Sequence, residues 1–143
     1  MNVSSILREK GSDVVTLPSD ASLAEIARVL TERKIGAVVV CGAAGAVQGI
    51  VSERDVVCSV VAKGPAALER PIAEIMTADV VTCDTHTSID DLMNLMTDRR
   101  IRHIPVVEDG ALKGIVSIGD IVKRKIAETE AEAEALKEYI ATG

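Results

Sequence analysis

Apolar residues at Leu23, Ile26, Ala27 and Leu30 follow the i, i+3, i+4, i+7 spacing that gives a helix one apolar face. The segment opens on Ser22-Leu-Ala-Glu25, a serine followed three residues later by an acid, which is a capping-box signature. The arrangement recurs at Ser88-Ile-Asp-Asp91, with Ile89, Leu92, Met93 and Met96 as the apolar face. After each predicted helix comes a β-branched run, Val38 to Val40 or Ile104 to Val107, then a glycine-marked turn. A second run, Val47 to Val51 or Leu112 to Val116, completes a predicted β-hairpin. A further helix is predicted from near Ser52 or Ser117, and a short strand at Asp13 to Leu17 or Asp79 to Cys83 precedes each unit. The Ala/Glu-rich tail, Ile126 to Ile140, continues the last helix into solvent, where Leu136, Tyr139 and Ile140 are free to touch a second subunit.

The two units are copies. Gly49-Ile-Val-Ser-Glu-Arg-Asp-Val-Val matches Gly114-Ile-Val-Ser-Ile-Gly-Asp-Ile-Val at an offset of 65, and Val15-Thr16 with Ser22 matches Val81-Thr82 with Ser88 at 66. One residue fewer in the second hairpin reconciles the two registers. Each copy therefore reads β-α-β-β-α, an α+β unit whose helices cover one sheet face only. The second copy's sheet covers the other, which predicts four layers, α/β/β/α. In a chain of 143 residues such halves are marginal alone and fold as a packed pair.

Composition narrows the function. Hydrophobic residues are 48% of the chain and aromatics 1%, so the core is aliphatic and stacking on aromatic rings is unavailable. A formal charge of −6 opposes the long-range attraction that nucleic-acid binding needs. The longest clean apolar run, Ala37 to Cys41, is far too short to span a bilayer, and the expectation is a cytoplasmic protein with no membrane contact. Cys41, Cys58 and Cys83 lack metal-ligand spacing, sit in apolar contexts and read as reduced structural thiols. No nucleotide-binding glycine loop, zinc motif or nucleophile elbow occurs. His86 and His103 fall in different contexts, so neither a metal site nor an enzyme is expected.

The chemistry that remains lies at the two strand-to-helix junctions, Ser52-Glu-Arg-Asp55 and Ser117-Ile-Gly-Asp120. Serine before an acid caps a helix with no ligand involved. The same geometry presents backbone amides to a phosphate and a carboxylate to the two hydroxyls of a ribose. At these residues the sequence closely resembles the CBS-domain family, named after cystathionine β-synthase, over roughly Ser5 to Ala127. Both copies match the family's pattern of glycine, two apolar residues, Ser or Thr, two variable residues and Asp.

The resemblance implies a CBS-domain pair with pseudo-two-fold symmetry, its repeats at 5–67 and 72–130 and a helical extension at 131–143. It implies that Asp55 and Asp120 each bind a ribose, with Ser52 and Ser117 near the phosphate. Thr16, Ala37, Thr82 and Ile104, with the adjoining Pro105, are placed around the adenine pockets. Arg54, Arg102 and His103 are the candidate phosphate cations, and they differ between the copies, so the two clefts are expected to be unequal. The resulting expectation is a regulatory module that senses an adenosine-containing ligand. AMP leads, NAD(H) follows, and ADP, ATP and S-adenosylmethionine are alternatives. It would act as a homodimer on a separate protein target that the sequence does not name. The competing expectation is a constitutive interaction scaffold with empty clefts.

Overall fold

A computed structural model describes residues 1–142. Along the chain run α1 (Val3–Lys10), β1 (Thr16–Leu17), α2 (Leu23–Arg33), β2 (Ala37–Cys41), β3 (Val47–Ser52) and α3 (Glu53–Lys63). Two 3-10 turns, Pro65–Glu69 and Ile72–Glu74, lead to α4 (Ile89–Arg99), β4 (His103–Glu108), β5 (Ala111–Ser117) and α5 (Ile118–Thr142). Both hairpins form where the alternation places them. Val39 pairs with Ile50 in the first and Pro105 with Ile115 in the second, and each hairpin shifts register at the equivalent point, after Val40 and after Val106. The second turn is tight because Asp109 and Gly110 both take positive φ, 51° and 75°. That shorter turn is the missing residue between the two offsets.

The helix starts follow their caps. The Ser22 and Ser88 side chains accept from the backbone N–H groups of Glu25 and Asp91. The reciprocal bond that completes a capping box forms at Ser52, whose own N–H donates to Asp55. α5 runs unbroken through the tail, with Leu136, Tyr139 and Ile140 exposed along its end.

The entering strands are shorter than their apolar runs predict. Only Thr16 and Leu17 pair with β2, and in the second copy a single parallel bridge, Cys83 with Val106, replaces a strand. Val80 and Val81, half-buried, line a cleft instead of joining the sheet.

Each repeat has its own core, and each core borrows a segment from outside its repeat. Leu23, Ile26 and Leu30 of α2 meet Val38, Val40 and Val51, and Ala67 and Ile72 from the linker turns complete that cluster. Ile89, Leu92 and Met96 of α4 meet Ile104, Val106 and Val116, and here Val3 and Ile6 of α1 complete it. The N-terminal helix thus packs into the second repeat, tied by the Val3 N–H to Thr87 O at 2.9 Å and the Ser4 N–H to Thr85 O at 3.0 Å. Val39 and Pro105 point to the opposite face of their hairpins and are buried as well, which is the sheet-to-sheet layer of the four. No polar or charged residue is buried among the described residues.

The cysteines divide. Cys83 lies in the second core, where burial first and the neighbouring Asp84 charge second push its thiol up to about 12. Cys41 is half-buried, but Cys58 is exposed on α3, so the reading of all three as packed thiols fails there. The apolar neighbours of Cys58 in sequence, Val57 and Val61, are themselves exposed.

Candidate functional site

Between the repeats lies a cleft of about 400 Å³, within the usual range for small-molecule sites. The first repeat contributes Gly36 and Ala37 at the start of β2, Ile50 on β3, and Ser52 to Asp55 at the head of α3. The second contributes Asp79 to Val81 before α4 and Arg100 to His103 after it, and Thr77 comes from the linker. Thr77 is held in place by antiparallel backbone pairing with Ile50, 3.0 Å in each direction. One wall is therefore aliphatic, from Ala37, Ile50, Val80, Val81 and Ile101, and the rim is charged.

Asp55 is set by the cap of α3. Its Oδ2 accepts from the Ser52 N–H at 2.8 Å and the Ser52 hydroxyl at 3.0 Å, while the Asp55 N–H donates back to Ser52 Oγ at 3.3 Å. Among the described residues no hydrogen bond engages Oδ1, so capping consumes one carboxylate oxygen and leaves the other for a hydroxyl donor. Capping and ligand binding are therefore compatible at this residue.

Three arginines, Arg54, Arg100 and Arg102, stand around the cleft, and none is in an ion pair among the described residues. An unpaired guanidinium at a cleft rim is free to take a phosphate. His103 packs against Gly36, where an added Cβ would come within 2.8 Å of the ring. Burial, the largest influence, holds its pKa below the ordinary histidine value; the Glu53 charge pulls upward and Lys10 downward.

The second junction repeats the cap, again on Oδ2 alone, and adds a cation to it. Asp120 Oδ2 accepts from the Ser117 N–H at 2.9 Å and the Ser117 hydroxyl at 3.0 Å, and also from Lys10 Nζ at 2.7 Å. Burial alone would raise the Asp120 carboxyl, yet the Lys10 hydrogen bond, the Ser117 amide and the Lys10 charge together hold it low. The cavity Asp120 lines is a separate one of about 100 Å³, bounded by Ile6, Glu9, Lys10, Lys123, Arg124 and Ala127.

Of the residues singled out from the sequence, Ala37, Ser52, Arg54, Asp55, Arg102 and His103 meet in the main cleft. Thr16 and Thr82 are exposed and line neither cavity. Ile104 is fully buried in the second core and Pro105 is buried on the opposite face of β4, and neither lines the cleft. Ser117 caps α5 without reaching the cleft. Reasoning from sequence missed Val80 and Val81, one or two residues ahead of Thr82, and Arg100, whose signal was its place in the basic run Arg99-Arg100-Ile-Arg102-His103. Among the described residues no group of His, Cys, Asp and Glu could hold a metal ion, and no helix is long and apolar enough to cross a membrane.

Known proteins repeat this architecture. A crystal structure of the CBS-domain containing protein ATU1752 from Agrobacterium tumefaciens superposes with a TM-score of 0.85 at 47% identity, covering 87% of this chain and 99% of that one. The CBS domain pair of protein MJ0100, solved in complex with 5′-methylthioadenosine and S-adenosyl-L-methionine, superposes at 0.80 with 26% identity, covering 90% and 98%. The CBS domain-containing protein CBSX3, mitochondrial, of Arabidopsis thaliana is 32% identical across 99% of this chain and 72% of its own length. The family model for the CBS domain matches twice, over residues 3–61 and 72–127, so this chain belongs to the CBS-domain family and carries two of its domains in tandem.

Proposed function

We propose that this chain is a regulatory module that binds an adenosine-containing ligand in the cleft between its repeats and passes the binding event to a separate protein target. The observation that carries the reading is Asp55: a carboxylate with one oxygen free, fixed at the head of α3 beside an aliphatic wall and three unpaired arginines. The ribose hydroxyls donate to Asp55 Oδ1. The base lies against Ala37, Ile50, Val80, Val81 and Ile101, where apolar burial of roughly 25 cal/mol per Å² replaces aromatic stacking. A phosphate with nearly two negative charges finds Arg54, Arg100 and Arg102. AMP is the favoured ligand. NAD(H) is second, since three arginines exceed what one monophosphate needs, and ADP or ATP would use the same rim. The adenosine ligands of the MJ0100 pair support the class of ligand.

The Ser52 hydroxyl and the Asp55 carboxylate bond each other as parts of the α3 cap, and on this reading the module reads out ligand and does not convert it. Thermal denaturation with and without AMP tests the proposal. A ligand that binds only the folded chain adds about 2.7 kcal/mol at 100 times its dissociation constant. For a domain of this size the melting point then rises by roughly 5 to 10 °C. Asp55→Asn keeps a cap acceptor but sets an amide where the ribose needs an oxygen, so the rise should shrink while ligand-free stability changes by less than about 1 kcal/mol. Equal shifts in parent and variant would remove Asp55 from the site. Flat curves for AMP, ADP, ATP, NAD, NADH and S-adenosylmethionine, on protein shown to be ligand-free, would leave the constitutive scaffold.

A further inference from the structure

The two junctions carry the same cap and differ in what else reaches the aspartate. At Asp55 nothing cationic does. At Asp120 the ammonium of Lys10, last residue of α1, donates 2.7 Å to Oδ2 and 2.9 Å to the carbonyl oxygen of Ile115. The counterpart of Ile115 in the first repeat is Ile50, and its carbonyl is satisfied by the Thr77 backbone N–H at 3.0 Å. A main-chain donor therefore does in the first repeat what a lysine side chain does in the second. The substitution matters because the Thr77 N–H carries no charge toward Asp55, while Lys10 neutralises Asp120.

α1 is held there by more than its tip. Val3 and Ile6 are buried in the second core, Leu7 packs where a Cβ on Gly114 would otherwise sit, and Arg124 Nη2 donates to Ser5 O at 3.1 Å and to Glu9 Oε2 at 2.8 Å. The side chain of Lys10 keeps only 32% of its exposure and that of Asp120 22%. The cavity beside this pair is about 100 Å³, against about 400 Å³ at Asp55.

We infer that Lys10 is an internal occupant of the second nucleotide position: it holds Asp120 so that the chain takes a single adenosine ligand, at Asp55, and it thereby sets the stoichiometry. This rests on the reading of Asp55 as the ribose acceptor. Lys10 touches no ligand at the first cleft; it determines which of two duplicated sites is open. A ribose hydroxyl arriving at Asp120 Oδ1 meets a carboxylate whose charge the Lys10 ammonium already neutralises through Oδ2, which makes it a weaker acceptor than the unpaired Asp55.

Isothermal titration calorimetry with AMP tests this on the full chain. The parent should bind one AMP per chain, Lys10→Met should bind two, and Lys10→Met with Asp120→Asn should return to one. The inference is read from the difference between variant and parent, and the proposed function from the parent's own count, so the two fail separately. A parent that binds two, or a Lys10→Met variant with the parent's count, overturns the latch. A second measurement needs no nucleotide. In competitive acylation of the native protein, Lys10 should react several-fold more slowly than the exposed lysines, and Asp120→Asn should bring it to their rate. Equal reactivity in the parent overturns the latch as well.

Discussion

At the scale of single residues the cleft is organised by asymmetry, and His103 shows it most directly. Its place in the duplication is that of Ala37, so an imidazole stands in the second copy where the first has a methyl group. The ring presses on Gly36, and burial holds its pKa low against the upward pull of Glu53 and Asp120, while Lys10 and Arg102 reinforce the burial. A histidine depressed in the folded state binds its proton later than in the unfolded chain. Stability then falls as pH drops below about 6.5, because the unfolded state takes up the proton first. His103→Ala should therefore flatten the decline in melting temperature between pH 7 and pH 5, and parallel parent and variant curves would refute this. Asp120 works in another window. Its folded pKa is lowered, so its contribution is complete above the unfolded value near 4 and is lost as pH falls through the folded one. Much of this scale was legible in the sequence. The repeated Ser-x-x-Asp pattern marked both caps, and the exchange of Gly36-Ala37 for Arg102-His103 marked the inequality. The Lys10 contact was not legible, because 110 residues separate it from Asp120 and no local pattern reports such a pairing.

Among elements, the glycine that opens each Gly-Ile-Val-Ser motif has a packing reason. A Cβ on Gly49 would lie 2.5 Å from Met76 Sδ and 3.0 Å from the Thr77 carbonyl, and one on Gly114 would lie 2.7 Å from a Leu7 methyl. These positions are where the exchanged segments, linker and α1, cross the hairpins. The consequences differ. Thr77 is backbone paired to Ile50 and has little freedom, whereas the end of Leu7 can rotate away. Gly49→Ala should therefore cost about 1–3 kcal/mol of the kind typical of overpacking, and Gly114→Ala less than about 1 kcal/mol. Urea denaturation of the two variants measures the order, and a reversed order would show that α1 is held more rigidly than the linker. The sequence identified the four long helices and both hairpins because each has a run of periodic residues with a cap or a turn. α1 escaped it for a physical reason: Val3, Ile6 and Leu7 cover only two turns, and the partner that stabilises them is the second repeat, far along the chain. The entering strands were overestimated because Val80 and Val81 have the composition of a strand but spend it on the cleft wall.

On the scale of the whole molecule, the duplication leaves two equivalent helices with apolar residues facing outward. α3 exposes Val57 and Val61, the latter at 81%, and α5 exposes Ile118, Val122 and Ile126. By the offset of 65 Val57 corresponds to Val122, and Val61 to Ile126, so the stripes are related by the pseudo-two-fold that relates the repeats. Single exposed apolar side chains are ordinary on a monomer, but matched i, i+4 stripes on two related helices make a patterned apolar surface of the kind an interface uses. A second copy supplies the complement without any new sequence, since a two-fold dimer sets the same patch against itself. The exposed Leu136, Tyr139 and Ile140 at the end of α5 extend that helix's apolar surface. Cys58 lies on the outer side of α3 among these residues, which explains an exposed thiol in an apolar sequence context. The prediction is a homodimer at micromolar concentration, measured by size-exclusion chromatography with light scattering. Val61→Glu combined with Ile126→Glu places a charge in each stripe and should give a monomer with an unchanged circular dichroism spectrum, because neither side chain belongs to either core. A parent protein of monomer mass removes the dimer, and a double variant that stays dimeric moves the interface off these helices.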